Sequence, residues 1–178
     1  MNRLLLSAAA LCASALPAAA QDIAITGATL ASGDGSDPVQ NATVVIRSGR
    51  VVAAGSGVAV PAGMQALDGA GMWVTPGLFA SMTELGIYDV QAVSESNDIS
   101  AGGSPFGAAL DVAPVVNSQS QDIAYSRAGG VTRASVAPGA GSTIFAGQGA
   151  IIDTGTDYDA VMRPRAFQLV EMGERGAR

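Results

Sequence analysis

The stretch "WVTPGLFASMTELG", residues 73–86, holds the residues whose spacing is closest to that of a chemical site. Met82 and Glu84 lie two positions apart in a segment that reads as a strand, and residues two apart in a strand point to the same side. The carboxylate of Glu84 is a candidate metal ligand or acid/base group. The thioether of Met82 is a poor ligand for zinc or manganese, so we expect it to pack in an apolar interior. The pair supplies one oxygen donor, which is fewer than a metal site needs.

Two absences limit the chemistry of the whole chain. Its 178 residues contain no histidine, and its nine basic residues are all arginine. Histidine-based metal sites and catalytic triads that use histidine are therefore excluded within this chain. A lysine that forms a Schiff base is excluded for the same reason.

Other polar groups are weaker candidates for a site. Glu95 and Asp98, and further on Asp157 and Asp159, invite a calcium site, but they lack the spacing of an EF-hand loop and favour solvated turns. Gln148 lies between two glycines, which permit close approach of the backbone, and it is a candidate pocket residue. The same glycine-rich segment lacks the lysine and hydroxyl residue of a phosphate-binding loop.

Residues 21–71 show the pattern of short strands and turns. Two apolar arms, 44–46 and 51–52, flank Ser48-Gly49 and predict a hairpin. Segments rich in Gly, Asp, Ser and Pro separate these runs and mark loops. We expect this part of the chain to be a β-sandwich-like N-terminal segment.

From residue 72 the apolar pattern becomes continuous. Val74–Phe79 predicts a parallel strand buried on both faces, although Pro76 places an irregularity in it. A helical piece broken at Pro114, a short strand from Val131 to Val136 and two short strands around residues 147–149 follow. The apolar spacing from about Arg165 to the end predicts an amphipathic helix.

The first twenty residues read as a secretory signal peptide. A positive start, an apolar run too short to span a bilayer and the small residues Ala18-Ala19-Ala20 occur in the expected order. We therefore expect export to the periplasm or the extracellular space, with cleavage between Ala20 and Gln21. Cys12, the only cysteine, leaves with the signal peptide.

The charge balance limits the partners. Fifteen acidic residues against nine arginines give a formal net charge of −6, and loss of Arg3 with the signal peptide makes the mature chain more negative. An acidic chain is not typical of nucleic-acid binding, which needs a positive surface. No apolar run after the signal peptide is long enough to cross a membrane. A small-molecule substrate or ligand of unknown identity remains the expected partner.

The order of hairpin, "DGAGMWVTPGLF" and "VAPGAGSTIFAGQGAIID" resembles the amidohydrolase superfamily. The entry signature of that family is Pro-Gly-Leu-Ile-Asp-x-His-x-His. Pro76, Gly77 and Leu78 match it, and Phe79 takes the isoleucine position. Ala80 stands at the aspartate position, and the histidine positions hold Met82 and Glu84, so the metal motif is degenerate.

The resemblance implies an α/β fold with a β-rich N-terminus: a partial small β-sandwich, then the first units of an incomplete (β/α)₈ barrel over 72–178. A complete barrel takes about 250 residues, which indicates that the chain is the N-terminal portion of a longer protein. The implied activity of the longer protein is hydrolysis of non-peptide C–N bonds, with a divalent metal held elsewhere than in this chain. The alternative is a non-catalytic binding protein of the same fold that has lost its metal site. In this chain Glu84 is the one candidate catalytic residue, and no cofactor is expected.

The signal-peptide prediction has a direct test. Because small residues at positions 18 and 20 suit signal peptidase, mass spectrometry of the exported protein is expected to find Gln21, free or cyclised, as its first residue. A mature protein that keeps Met1–Ala20 would contradict the prediction.

Overall fold

The computed structural model describes residues 22–90, 93–141 and 143–173. The chain divides into two compact units, one ending at Pro76 and the other beginning at Gly77. The predicted signal peptide, residues 1–20, lies outside the described residues. In the part of the chain that is described, no helix has the length and apolar character needed to cross a membrane.

The first unit is a mixed five-stranded sheet. Its strands are β1 (Ile23–Leu30), β2 (Val39–Arg47), β3 (Arg50–Gly55), β4 (Gln65–Asp68) and β5 (Trp73–Val74). The order is β3-β2-β1-β4, and β5 also pairs with β1. β1–β2 and β2–β3 are antiparallel, whereas β4 and β5 run parallel to β1. The predicted β-rich character of this segment is confirmed, whereas the predicted sandwich of two sheets is not seen, because the described strands of this unit form a single sheet.

The predicted hairpin is present as the β2–β3 pair. Its turn lies at Ser48 and Gly49, which have φ values of 48° and 73°. Two successive residues in the left-handed region match the twist of the flanking strands, which is why such turns connect hairpins tightly. Ser48 accepts this conformation, and its amide N–H donates to the carboxylate of Asp22 at 2.9 Å.

Pro76-Gly77 divides the run that was predicted to form one strand. The prediction of a continuous strand over Val74–Phe79 is wrong, because β5 ends at Val74 and the next strand, β6 (Leu78–Thr83), belongs to a different sheet. Proline has no N–H to donate to a ladder. A side chain at residue 77 is also excluded, since a Cβ there would lie 2.1 Å from Cγ2 of Thr132.

The second unit is a four-stranded sheet with one helix. Helix α1 (Gln121–Ala128) precedes β7 (Val131–Val136), and β8 (Phe145–Asp153) and β9 (Val161–Val170) complete the sheet in the order β6-β7-β8-β9. β6 and β7 are parallel, and the remaining pairs are antiparallel. The described residues thus contain one β–α–β unit followed by a hairpin, and not a run of several such units.

Three local predictions can be compared with these elements. The strand over Val131–Val136 is confirmed. The helical piece broken at Pro114 is a 3₁₀ turn, Ala113–Val115, followed later by α1. The two short strands predicted around residues 147–149 are a single strand, β8.

The helix predicted from Arg165 is wrong over residues 165–170, because these residues lie in β9. The last part of that prediction, residues 174–178, lies outside the described residues. β9 pairs with β8 in the register Gly149↔Phe167. The ring of Phe167 covers Gly149 so closely that a Cβ there would lie 2.2 Å from Cζ of the ring. β9 forms one edge of the sheet, and it carries Arg163, Pro164 and an Arg165 with φ of 49°. A proline is tolerated at such an edge.

The core of the second unit joins the helix to the sheet. Ile123 of α1 is 1% exposed and belongs to one cluster with Ala134 and Val136 of β7 and Ile152 of β8. Ile87, from the long connection between β6 and α1, is buried in the same cluster. Few large side chains therefore hold the helix on the sheet, and each contributes substantially to the stability of this unit.

We expect Ile123→Ala to destabilise the second unit by about 2–5 kcal/mol, because it removes buried methylene groups and leaves a cavity. Hydrogen exchange of the β7 amides in a urea series measures this loss. Tyr125→Ala is the matched control on the same helix, since Tyr125 is 72% exposed, and its effect is expected within about 0.5 kcal/mol. Equal effects of the two variants would contradict the placement of α1.

Candidate functional site

The parallel strands β6 and β7 end side by side. Thr83 is opposite Val136 in the ladder. The amide N–H of Ala137 donates to the carbonyl of Thr83 at 3.1 Å, and the Thr83 hydroxyl donates to the carbonyl of Ser135 at 3.0 Å. These bonds fix the carboxyl end of β6, from which Glu84 follows directly.

The strand is irregular before this end. Met82 has φ of 55°, the ladder slips between Ala80 and Thr83, and the Met82 amide donates to the hydroxyl of Ser135 at 2.8 Å. The alternation that would put residues 80, 82 and 84 on one side is therefore broken. Ala80 packs against the core. Met82 is 58% exposed, so the prediction that it packs in an interior is wrong for this chain.

A cleft of about 270 Å³ adjoins the end of β6. Its lining combines apolar groups with a carboxylate, a phenol and two hydroxyls: Ala80, Thr83, Glu84, Leu85, Tyr88 and Ser126. Glu84 is exposed, and among the described residues the one recorded ion pair is Arg165–Asp111, which does not involve it. The carboxylate of Glu84 is thus open to solvent at the rim of the cleft.

Helix α1 supplies the opposite wall. Asp122 and Ser126 are four residues apart, so they share one face of the helix. The negative charge of Asp122, partial burial and a hydrogen bond with Asp122 raise the pKa of Tyr88, and Glu84 adds a smaller contribution. The phenol therefore stays protonated well beyond neutral pH. The cleft brings together Glu84, which sequence analysis identified, with Tyr88 and Ser126, which it did not.

The other sequence candidates lie elsewhere. Gln148 does not line this cleft. Its backbone N–H donates to the carbonyl of Leu110 at 2.6 Å, and its side chain donates to the carbonyl of Ala108 at 3.3 Å. Arg165 binds the same segment of chain, between β6 and α1, through an ion pair with Asp111 in which Nε and Oδ2 are 2.8 Å apart. Gln148 is therefore a support for the segment that precedes α1.

The acidic residues do not gather into a metal site. Across the described ranges, no group of three or more His, Cys, Asp and Glu side chains is placed to hold a metal ion. Glu95, in the short 3₁₀ helix Ser94–Ser96, and also Asp98, Asp157 and Asp159 therefore belong to no such group. The positions at the end of β6 offer an alanine, an exposed thioether and one carboxylate, which is not the donor set of a zinc or manganese centre.

Comparison with known proteins gives a match at the level of fold. No protein-family model matches the chain, and no curated protein matches it. Among solved structures, an amidohydrolase from Thermotoga maritima MSB8 superposes with a TM-score of 0.74 and 22% identity, over 86% of this chain. The chain therefore shares its fold with part of that structure. This chain covers 40% of that enzyme's chain, and so spans less than half of its length.

A second solved structure, that of molinate hydrolase, matches a smaller part of this chain. It is 35% identical over 39% of this chain and 15% of its own, with a TM-score of 0.35. A score this low carries no argument about the fold.

We expect Asp122→Asn to lower the pKa of Tyr88 toward that of a free tyrosine, which is about 10. The charge of Asp122 disfavours tyrosinate, so its removal lets the phenol lose its proton at lower pH. Tyrosinate absorbance during an alkaline titration measures the change, with Tyr88→Phe identifying the transition that belongs to this residue. If the pKa of Tyr88 is the same in Asp122→Asn as in the unchanged protein, the charge of Asp122 does not act on Tyr88 and the prediction is wrong.

Proposed function

We propose that this chain is the N-terminal portion of an exported amidohydrolase-like protein, and that the longer protein hydrolyses non-peptide C–N bonds. The observation that carries the proposal is the superposition on the amidohydrolase from Thermotoga maritima. The Pro76-Gly77-Leu78 signature at the start of β6 supports it, because β6 is the strand that pairs in parallel with β7. Active sites of parallel α/β folds lie at the carboxyl ends of such strands.

In this proposal the chain contributes the scaffold and one candidate catalytic residue. Glu84 follows the carboxyl end of β6, and its exposed carboxylate is available as a hydrogen-bond acceptor or proton acceptor. Ala80, Met82 and Glu84 do not fit a metal centre by themselves, so no step of the reaction is assigned to a metal here. A divalent metal in the longer protein would need ligands from beyond these residues.

The second candidate is a non-catalytic binding protein with this fold. The residues at the degenerate motif favour it, because the thioether of Met82 is exposed to solvent and Ala80 is committed to core packing. Neither group can hold or move a proton. A protein of this kind would keep the fold and the cleft and would bind a small molecule without turning it over.

The proposal includes export, and it includes a small-molecule partner in place of nucleic acid or membrane. The order of positive start, apolar run and Ala18-Ala19-Ala20 supports export. The formal net charge of −6 supports a partner that is not a polyanion.

The two candidates are distinguished with the full-length protein, purified from the exported fraction. Turnover of cyclic amides, N-acyl amino acids and lactones is measured with added zinc or manganese and again after chelation. Turnover that is lost on chelation and restored by metal supports the hydrolase. Binding of a small molecule without turnover supports the second candidate, and turnover unaffected by thorough chelation would overturn the metal-dependent form of the proposal.

For residues 21–178 alone, we expect no tightly bound zinc or manganese and no metal-dependent hydrolysis, because Glu84 is a single donor. Elemental analysis after dialysis against each metal measures this. One equivalent of metal that disappears in Glu84→Ala, while Glu171→Ala keeps it, would restore Glu84 as a ligand.

A further inference from the structure

We propose that the cleft beside β6 binds a small organic cation, with a primary ammonium group held between the carboxylate of Glu84 and the ring of Tyr88. The inference concerns side chains of this chain only. It therefore stands whether the longer protein is a hydrolase or a binding protein.

The shape of the cleft fits a short ligand. Its volume of about 270 Å³ lies just below the range of small-molecule pockets, which begins at about 300 Å³. Ala80 and Leu85 pack against the core cluster and form the apolar part of the wall. Thr83 and Ser126 add hydroxyl groups that can accept hydrogen bonds from an ammonium group. A short alkyl chain with one charged end matches this combination.

The charges around the cleft have one sign. Glu84 lines it, and the negative charge of Asp122 on α1 acts on Tyr88 and raises the pKa of its phenol. No arginine is among the lining residues. Arg127 of α1 is turned to other partners, since its Nη1 donates to the carbonyls of Thr154 and Gly155 at 2.6 and 2.9 Å. The cleft therefore attracts a cation and repels a carboxylate or phosphate.

Tyr88 adds a preference for an organic cation. Tyr88 lines the cleft together with Glu84, and the charge of Asp122 raises the pKa of its phenol, so the ring faces the cleft as a neutral group. A cation within about 6 Å of an aromatic ring is attracted by the electron density of its face. An ammonium group in this cleft would thus be attracted both by the charge of the carboxylate and by the face of the ring.

A divalent metal fits the same cleft poorly. Calcium and magnesium require about six or more oxygen ligands in a defined geometry. Glu84 is the one carboxylate that lines the cleft. An ammonium ion has no such requirement, because three donors and one charge are satisfied by one carboxylate and the nearby hydroxyls. The chemistry of the walls thus selects an organic cation over a metal ion.

The test is a titration of the chain with butylammonium chloride at low ionic strength, followed by NMR shifts of the residues around the cleft. Butanol and butyrate serve as neutral and anionic probes of the same length. Glu84→Gln removes the charge and keeps the shape, and Glu171→Gln, at the end of the opposite edge strand, is the matched control. Tyr88→Leu removes the ring, and Ser126→Lys places a positive charge in the cleft.

We expect saturable shifts at residues 83–88 and 126 with butylammonium and none with butyrate. Glu84→Gln is expected to weaken binding about tenfold and Tyr88→Leu about threefold, as the loss of a charge pair and of a cation–π contact predict. Glu171→Gln is expected to leave the affinity unchanged, and Ser126→Lys to abolish binding. Circular dichroism confirms that each variant is folded.

Equal affinity for butanol, or an unchanged affinity in either Glu84→Gln or Ser126→Lys, would overturn the proposal. Calcium, magnesium or manganese that produces the same shifts at micromolar concentration would also overturn it and would point to a metal site. These outcomes are independent of hydrolysis by the longer protein, which is measured separately.

Discussion

The second unit depends on the absence of a side chain at residue 77. A Cβ at Gly77 would lie 2.1 Å from Thr132, so only glycine allows the start of β6 to approach the start of β7. The amide of Leu78 can then donate to the carbonyl of Gly130 at 2.9 Å and open the parallel ladder. That ladder gives α1 a sheet to pack on, and the packing of α1 places Ser126 beside the end of β6. The cleft thus depends on the close approach of Gly77 to Thr132, although neither residue lines it.

Local signals were sufficient for elements that depend on neighbouring residues. The Ser48-Gly49 hairpin and the strand over Val131–Val136 were predictable, because a turn with two left-handed residues and a β-branched run act over short distances. β9 was not predictable in this way. Its apolar spacing also suits a helix, and the contact that fixes it as a strand, the ring of Phe167 on Gly149, is made with the preceding strand, outside the segment itself. Tertiary pairing decided between two acceptable local structures.

The site shows the same division between local and distant information. Glu84 could be found from its position after Pro76-Gly77-Leu78, which is a property of one short segment. Tyr88 gave no signal in the sequence, since its importance comes from Asp122, which α1 brings to it across a long connection. A spacing of four residues between Asp122 and Ser126 was visible, but nothing local indicated which strand end that helical face would meet. The identity of the opposite wall is a property of the fold.

The two edges of the second sheet differ in their capacity to recruit another strand. β9 carries a proline, two arginines and a left-handed residue, features that natural sheets use to prevent edge-to-edge addition. β6 carries no charged side chain, and its Leu78 and Phe79 are 58% and 53% exposed. The irregularity at Met82 interrupts only the last part of the β6–β7 pairing, between Ala80 and Thr83. Of the two edges of this sheet, β6 is therefore the one open to pairing with another strand. A charge introduced at the start of β6 is expected to reduce such pairing more than the same charge on β9.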